Sequence, residues 1–320
     1  MNAPLRWGII GTGLIARTFA SDLRFTDDGV VVAVGSRSRE SAEGFAAEFQ
    51  IPRAHGSYES LAADPEVDVV YVATPHPMHH DNALMALEND KPVLVEKAFT
   101  MTSDEARDLV ATARARGLFL MEAMWTRFLP HVIAVRELVS QGVVGDLVAL
   151  YADHGQWFAQ DPTFRLFAPE LGGGALLDLG VYPVSFASML FGAPARVSAV
   201  VSRTFTGVDG LTSMILGYPS GAQAVLSCTS LARSATRASI IGSDGRIDIQ
   251  GSFYAPAPFV LTPREGEPTR REFPVEGRGL HYEASEVARC IRGGLTESPS
   301  MPLDESVSIM ATLEQILGAP

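Results

Sequence analysis

The sequence predicts an α/β chain: a doubly wound parallel sheet at the N-terminus, then an α+β domain built on a large, mostly antiparallel open sheet. Three observations predict it. Four unbroken apolar strand runs in the first hundred residues are separated by helix-like segments, a glycine-rich turn joins the first strand to the first helix, and beyond residue 147 the strand runs begin to alternate. Strands without alternation that are joined by helices are buried on both faces, as in parallel sheets, whereas alternation marks a sheet with one covered face. At 320 residues the chain exceeds what one core usually serves. The expected division is residues 1–124, residues 125–300, and a C-terminal helix within 301–320 that packs back on the core.

Composition narrows the function classes. Hydrophobic residues make up 47% of the chain and charged ones 19%, ordinary for a globular protein. No apolar run approaches the ~18 residues needed to span a bilayer, and "MNAPLRWGIIGTG" lacks the layout of an export signal, so a cytoplasmic protein is expected. With 37 acidic against 25 basic side chains the net charge is −12, which disfavours nucleic acid and anionic membranes as partners. Cys228 and Cys290 stand alone, so neither a disulfide framework nor a cysteine metal site is indicated.

The opening "RWGIIGTGLIARTFASDL" reads as strand, turn and helix. Gly11, Thr12, Gly13, Leu14, Ile15 and Ala16 fit the dinucleotide fingerprint: Gly11 for the tight turn, Gly13 for backbone approach to a pyrophosphate, Ala16 for close helix packing. Free amides at the helix start then face negative charge. With "VVVAVGSRS", "VDVVYVATP" and "PVLVEKA" as further buried strands, a Rossmann-type domain is predicted. The second strand ends in "GSRSRE" rather than in an acidic residue, so Ser36 and Arg37, with Ser38 and Arg39, predict NADP over NAD; the alternative is that they are solvated surface residues.

Ligands in such sheets lie at the carboxyl ends of the strands. That rule selects Thr74, Pro75, His76 and His79 after one strand, Glu96 and Lys97 after the next, and Trp125 in "MEAMWTRFLP". The histidine cluster lacks a cysteine or carboxylate at ligand spacing, so nucleotide contact or helix-start hydrogen bonding is expected and metal is not. Lys97 ends an apolar strand, and Glu96 beside it points to the other face, so the lysine needs a partner from elsewhere.

In "GGGALLDLGVYPVSF", Asp178 and Tyr182 are four residues apart, which on an α-helix places them on one face. Either they satisfy one another in a core or they do chemistry. Beyond residue 147, "LVALYADHGQW", "ARVSAVVSR", "TSMILGY", "AQAVLSCTSL" and "TRASIIGSDGRIDIQG" give the antiparallel sheet. "SDGR" marks a hairpin in which Gly245 can turn left-handed. Ala284, Val287, Ala288 and Ile291 recur at helical spacing, so that segment should dock on a core.

The glycine fingerprint, the Glu96-Lys97 pair and the GGG-x₃-D-x₃-Y segment together resemble the glucose-fructose oxidoreductase and inositol dehydrogenase family over essentially the whole chain. Within it, "EKA", "MEAMWTRFLP" and "RLFAPELGGGALLDLGVYP" are most similar to the NADP-dependent dihydrodiol and D-xylose dehydrogenases. The resemblance implies that Lys97, Asp178 and Tyr182 meet beside a nicotinamide, with Tyr182 transferring the proton, Lys97 tuning it and Asp178 orienting substrate or lysine. A nearby ammonium favours the phenolate of a tyrosine that is otherwise a poor base. Trp125, Arg165, Trp157 and Phe158 are the candidate substrate contacts, although each aromatic could equally be core. Two departures stand out: Ala98 replaces the family's proline after the lysine, and Tyr182 replaces the histidine of many relatives.

The expected protein is thus an NADP oxidoreductase acting on a sugar or cyclic diol, and by family analogy a homodimer or homotetramer through the open sheet. Its rivals are a keto-sugar reductase or transhydrogenase of the same family, or a non-catalytic NADP sensor. A sensor would not need Lys97, Asp178 and Tyr182 together.

Overall fold

The structure, a computed structural model, describes residues 3–319. The chain divides into two compact units, Met1–Trp125 with Glu276–Val307, and Thr126–Val275 with Ser308–Pro320. The sequence-based boundary near 124 lies one residue from this division, but residues 276–300 pack with the first unit, not the second.

In the first unit, β1 (Leu5–Ile10), α1 (Leu14–Asp22), β2 (Gly29–Gly35), α2 (Arg39–Phe49), β3 (Arg53–His55), α3 (Tyr58–Ala62), β4 (Val69–Val72), α4 (His79–Glu88), β5 (Val93–Glu96), α5 (Ser103–Arg116) and β6 (Leu120–Ala123) alternate along the chain. The strands form one parallel sheet in the order β3-β2-β1-β4-β5-β6. The order reverses between β1 and β4, which is where such sheets open a crevice for a ligand. β4, β5 and β6 are buried along their whole length, as their unalternating sequences require. Inside, Trp7 meets Phe19 edge-on at 5.1 Å and Phe19 stacks on Tyr71 at 4.1 Å.

Local signals set the helix ends. Thr102 and Glu105 form a capping box on α5, which stops at Gly117 in the left-handed region.

The second unit comprises α6 (Pro130–Ser140), β7 (Leu147–Gly155), α7 (Val181–Phe191), β8 (Arg196–Arg203), β9 (Asp209–Gly217), β10 (Gln223–Thr229), β11 (Ala238–Gly242), β12 (Gly245–Ile249), β13 (Phe259–Pro263) and β14 (Thr269–Arg271). Its sheet runs β14-β13-β12-β11-β7-β10-β9-β8 and is antiparallel except where β10 pairs with β7. Along β9 the residues alternate, with Thr212, Met214 and Leu216 buried and Leu211, Ser213 and Ile215 exposed. α7 packs on β7 and β10.

Helix α8 (Leu280–Arg292) packs against α1 of the first unit, where the Asp22 carboxylate accepts the N–H groups of Arg278 and Leu280 at 2.9 and 3.0 Å. Ala284, Val287 and Ala288 face inward as expected; Ile291 is only half-buried. The last helix, α9 (Leu303–Leu317), begins in the first unit and ends in the second.

Two local expectations need correction. Gly245 does not adopt a positive φ; it opens β12 where a Cβ would meet the Thr262 carbonyl at 2.8 Å, so close approach rather than handedness calls for glycine. The segment Pro169–Phe191 does reach the length and apolarity of a membrane span, but 83% of its apolar window is buried within the protein, where it serves as a core helix.

Candidate active site

The first unit carries a nucleotide cradle. Gly11 sits at φ +109°, and a Cβ there would collide with the Ala73 carbonyl at 2.6 Å, so only glycine closes the turn after β1. Gly13 opens α1 with free space around its Cα and no side-chain cap, leaving the helix's first amides available to a pyrophosphate. Ala16 is fully buried, as close helix–sheet packing requires. These features fit a bound dinucleotide.

At the end of β2, Ser38 is committed to capping α2 through the Ser41 amide, and Arg39 pairs with Glu43 at 3.0 Å. That leaves Arg37 and the hydroxyl proton of Ser36, whose Oγ accepts the Ser38 N–H at 3.3 Å. Arg37 is exposed and makes no ion pair among the described residues. It lines a pocket of about 470 Å³ with Ser57, Tyr58, Met78 and Asn82. Burial pushes the Tyr58 phenol up, and the neighbouring Arg37 guanidinium pulls it back.

The residues after β4 divide by role. Thr74 is buried, with Oγ1 accepting from Asn82 at 3.1 Å. His79 is fully buried, one ring nitrogen 2.8 Å from the Thr74 carbonyl and the other 2.8 Å from the Ala98 carbonyl. Burial lowers its proton affinity. Both nitrogens face backbone, so His79 braces the turn after Lys97 and has no nitrogen left for a cofactor. His76 packs edge-on against it at 5.5 Å. Glu96 is likewise turned into the core, accepting from the Tyr71 hydroxyl and, at 3.2 Å, from the Lys97 amide. Lys97 is half-buried at the strand tip, and the Lys97–Ala98 bond is cis. Trp125 is buried in a 3₁₀ turn ending the unit's first segment. Among the described residues no cluster of His, Cys, Asp or Glu could hold a metal.

In the second unit the Asp178–Tyr182 pair departs from the simple helix picture. Leu176–Gly180 form a π-helical turn that passes into α7 at Val181. The two side chains have separate partners. Asp178 is buried and takes both arms of the Arg165 guanidinium, at 2.9 and 3.0 Å. The Tyr182 ring packs on His154 at 5.3 Å and on Tyr254 at 4.7 Å. His154 Nδ1 faces the Leu179 carbonyl at 3.1 Å, which can only accept, so the proton belongs on Nδ1 and Nε2 accepts from the Gln156 amide at 3.0 Å. That amide also reaches the Tyr254 hydroxyl at 3.1 Å. Phe158 stacks on Phe164 at 5.5 Å, while Trp157 is 59% exposed.

A family model described as the oxidoreductase family with NAD-binding Rossmann fold matches residues 5–124, and the C-terminal domain model of the same family matches residues 132–248. The chain is 42% identical to a trans-1,2-dihydrobenzene-1,2-diol dehydrogenase of Mus musculus, over 97% of this chain and 95% of that protein. This chain belongs to the Gfo/Idh/MocA oxidoreductase family. Solved structures share the fold. An aldose-aldose oxidoreductase from Caulobacter crescentus matches with TM-score 0.90 and 26% identity, covering 99% of this chain and 97% of the other. A 3-ketoreductase from Actinomadura kijaniata, in complex with NADP and TDP-benzene, matches with TM-score 0.87 and 26% identity, covering 99% and 98%.

As a Gfo/Idh/MocA protein it is an NAD(P)-dependent oxidoreductase. Several residues around its tyrosine escaped the sequence reading. His154 and Gln156 end a strand run as "DHGQ", and Tyr254 lies in a loop a hundred residues later. No spacing rule links them; the only signal was a polar cluster closing β7.

Proposed function

We propose that the protein is an NADP-dependent dehydrogenase that moves a hydride between the nicotinamide and the carbinol or carbonyl carbon of an aldose such as D-xylose, or of a cyclic trans-diol. The observation that carries this reading is the setting of Tyr182, a buried phenol held between two rings, just beyond an Asp178 that is held by Arg165. In the oxidative direction the Tyr182 phenolate takes the hydroxyl proton. The Lys97 ammonium favours that phenolate and holds the substrate oxygen. Asp178, fixed by Arg165, orients the substrate or the lysine. The bound nicotinamide supplies the hydride acceptor as the carbinol C–H bond breaks. The carbon becomes a carbonyl and Tyr182 a neutral phenol; reduction runs the same transfers backwards.

NADP is favoured over NAD because Ser36 and Arg37, which has no ion-pair partner among the described residues, stand where an acidic residue would otherwise hold a ribose 2′-hydroxyl. Trp125, Trp157, Phe158 and Arg165 are the proposed substrate contacts. A homodimer through the open face of the large sheet is also proposed, because that face leaves Tyr151, Val200 and Ile215 exposed.

Tyr182→Phe tests the chemistry. With D-xylose and with trans-1,2-dihydrobenzene-1,2-diol, kcat should fall at least about 100-fold while NADPH affinity holds. Unchanged turnover would refute the role given to Tyr182.

A further inference from the structure

We propose that Asp209 is a positioning residue whose carboxylate sets the start of the π-helical turn Leu176–Gly180 and so decides where Asp178 and Tyr182 point. The inference rests on the reading of those two residues given above. Asp209 is the first residue of β9, buried to 4% exposure, and touches neither substrate nor cofactor in that reading. Its Oδ2 accepts the Leu176 N–H at 2.6 Å, and the Ala175 amide also interacts with the carboxylate.

The chain is shaped around this carboxylate. Gly174 lies at φ +128°, and a Cβ on it would fall onto Asp209 Oδ1, so the third glycine of the GGG run leaves room for the acid as well as for the turn. At the other end of the π turn a Cβ on Gly180 would meet the Cys228 sulfur at 2.8 Å. The turn is therefore held at both ends, by Asp209 from β9 and by close packing on β10, with Asp178 between them in the grip of Arg165.

A π turn is rare and occurs mostly as a single-turn bulge within α-helices, frequently at functional sites. Its first amides are buried and have no side-chain cap from their own segment. Removing the Asp209 acceptor leaves those donors unsatisfied, and one route to relief is a shift of the helix start by a residue. Each residue of shift turns a side chain by about 100° around the axis. Such a turn carries Asp178 out of reach of Arg165 and re-aims the phenol one turn later. Burial raises the Asp209 proton affinity, and the Leu176 and Ala175 amides, with the peptide dipoles at this end of the helix, work against that rise in favour of the charged form.

The test is steady-state kinetics with NADP and trans-1,2-dihydrobenzene-1,2-diol, run well below each variant's melting temperature, beside NADPH binding by fluorescence. Asp209→Ala should lower kcat about 10–100-fold, the scale of an ångström-level misplacement, with the NADPH Kd unchanged. Asp209→Asn keeps an acceptor oxygen without the charge, and a neutral acceptor is roughly half as strong, so a loss of about 3–10-fold is expected. Ile247→Ala, a buried change on β12, serves as the stability control and should keep wild-type kcat despite a lower melting temperature.

Wild-type kcat in Asp209→Ala, or an equal loss in Ile247→Ala, overturns the inference. If Asp209→Ala does not fold, Asp209→Asn decides alone: a kcat loss with normal NADPH binding supports the role and wild-type kcat removes it. Tyr182→Phe run in parallel separates the two readings. Full turnover there sinks the proton-transfer reading and this inference with it; an inactive Tyr182→Phe beside a fully active Asp209→Ala sinks this inference alone.

Discussion

Arg165 grips Asp178 with two parallel hydrogen bonds, Nη1 to Oδ1 at 2.9 Å and Nη2 to Oδ2 at 3.0 Å. The carboxylate is buried while the guanidinium is half exposed, so the pair fixes the acid from the solvent side. Only the planar fork of arginine makes both bonds at once. Arg165→Lys is therefore expected to behave more like a deletion than a conservative change, lowering kcat/KM about tenfold for sugar and diol alike. Kinetics indistinguishable from wild type would show that the fork has no part in the reaction.

Arg37→Glu should reverse the cofactor preference. Losing charge-assisted bonds to a 2′-phosphate costs about 1.5–3 kcal/mol, roughly 10–100-fold in kcat/KM for NADP, while NAD should be tolerated or improved. Parallel kinetics with both cofactors give the ratio directly. If the wild type shows no NADP preference, or the variant keeps it, Arg37 does not read the phosphate.

Glu283 is fully buried on α8, and among the described residues neither carboxylate oxygen has a hydrogen-bond partner. Burial, reinforced by Glu96 and Asp22, raises its proton affinity well above the ordinary value of 4.5. A carboxyl that binds its proton more tightly in the folded state contributes stability below about pH 4.5, and that contribution is lost as pH rises through the folded value. Glu283→Gln mimics the protonated form. It should raise Tm at pH 7 by roughly 2–4 °C or more, with the gap to wild type closing towards pH 4.5. Thermal melts across that range check the sign; a variant less stable at pH 7 contradicts it.

The open face of the large sheet sets Tyr151 opposite Val225 and Val225 opposite Ile215 in one cross-strand row. Placing a charge in that row, as in Ile215→Asp, should convert a dimer to monomer with little loss of fold, since the residue is already 48% exposed. Light scattering coupled to gel filtration reads the mass. A wild-type monomer, or a variant of unchanged mass, would rule out this face as the interface.

The cradle was legible because its determinants are local. Gly11, Gly13 and Ala16 act within one turn of chain, and unalternating runs such as VVYV are spelled out residue by residue, so strand, turn and helix could be placed without knowing what they touch. Asp178 and Tyr182 were also visible, through their spacing. Their real arrangement was not. The π turn depends on an acceptor from Asp209, thirty-three residues away from Leu176, and on packing against Cys228. His79 looked like a cofactor contact by position, yet burial and two backbone carbonyls make it a brace. Likewise, the return of residues 276–300 to the first unit turns on Asp22 capping a helix that begins more than 250 residues later. Periodicity and turn chemistry are properties of neighbouring residues and can be read in order along the chain; which distant carboxylate satisfies which orphaned amide is settled only when folding brings them within hydrogen-bond reach.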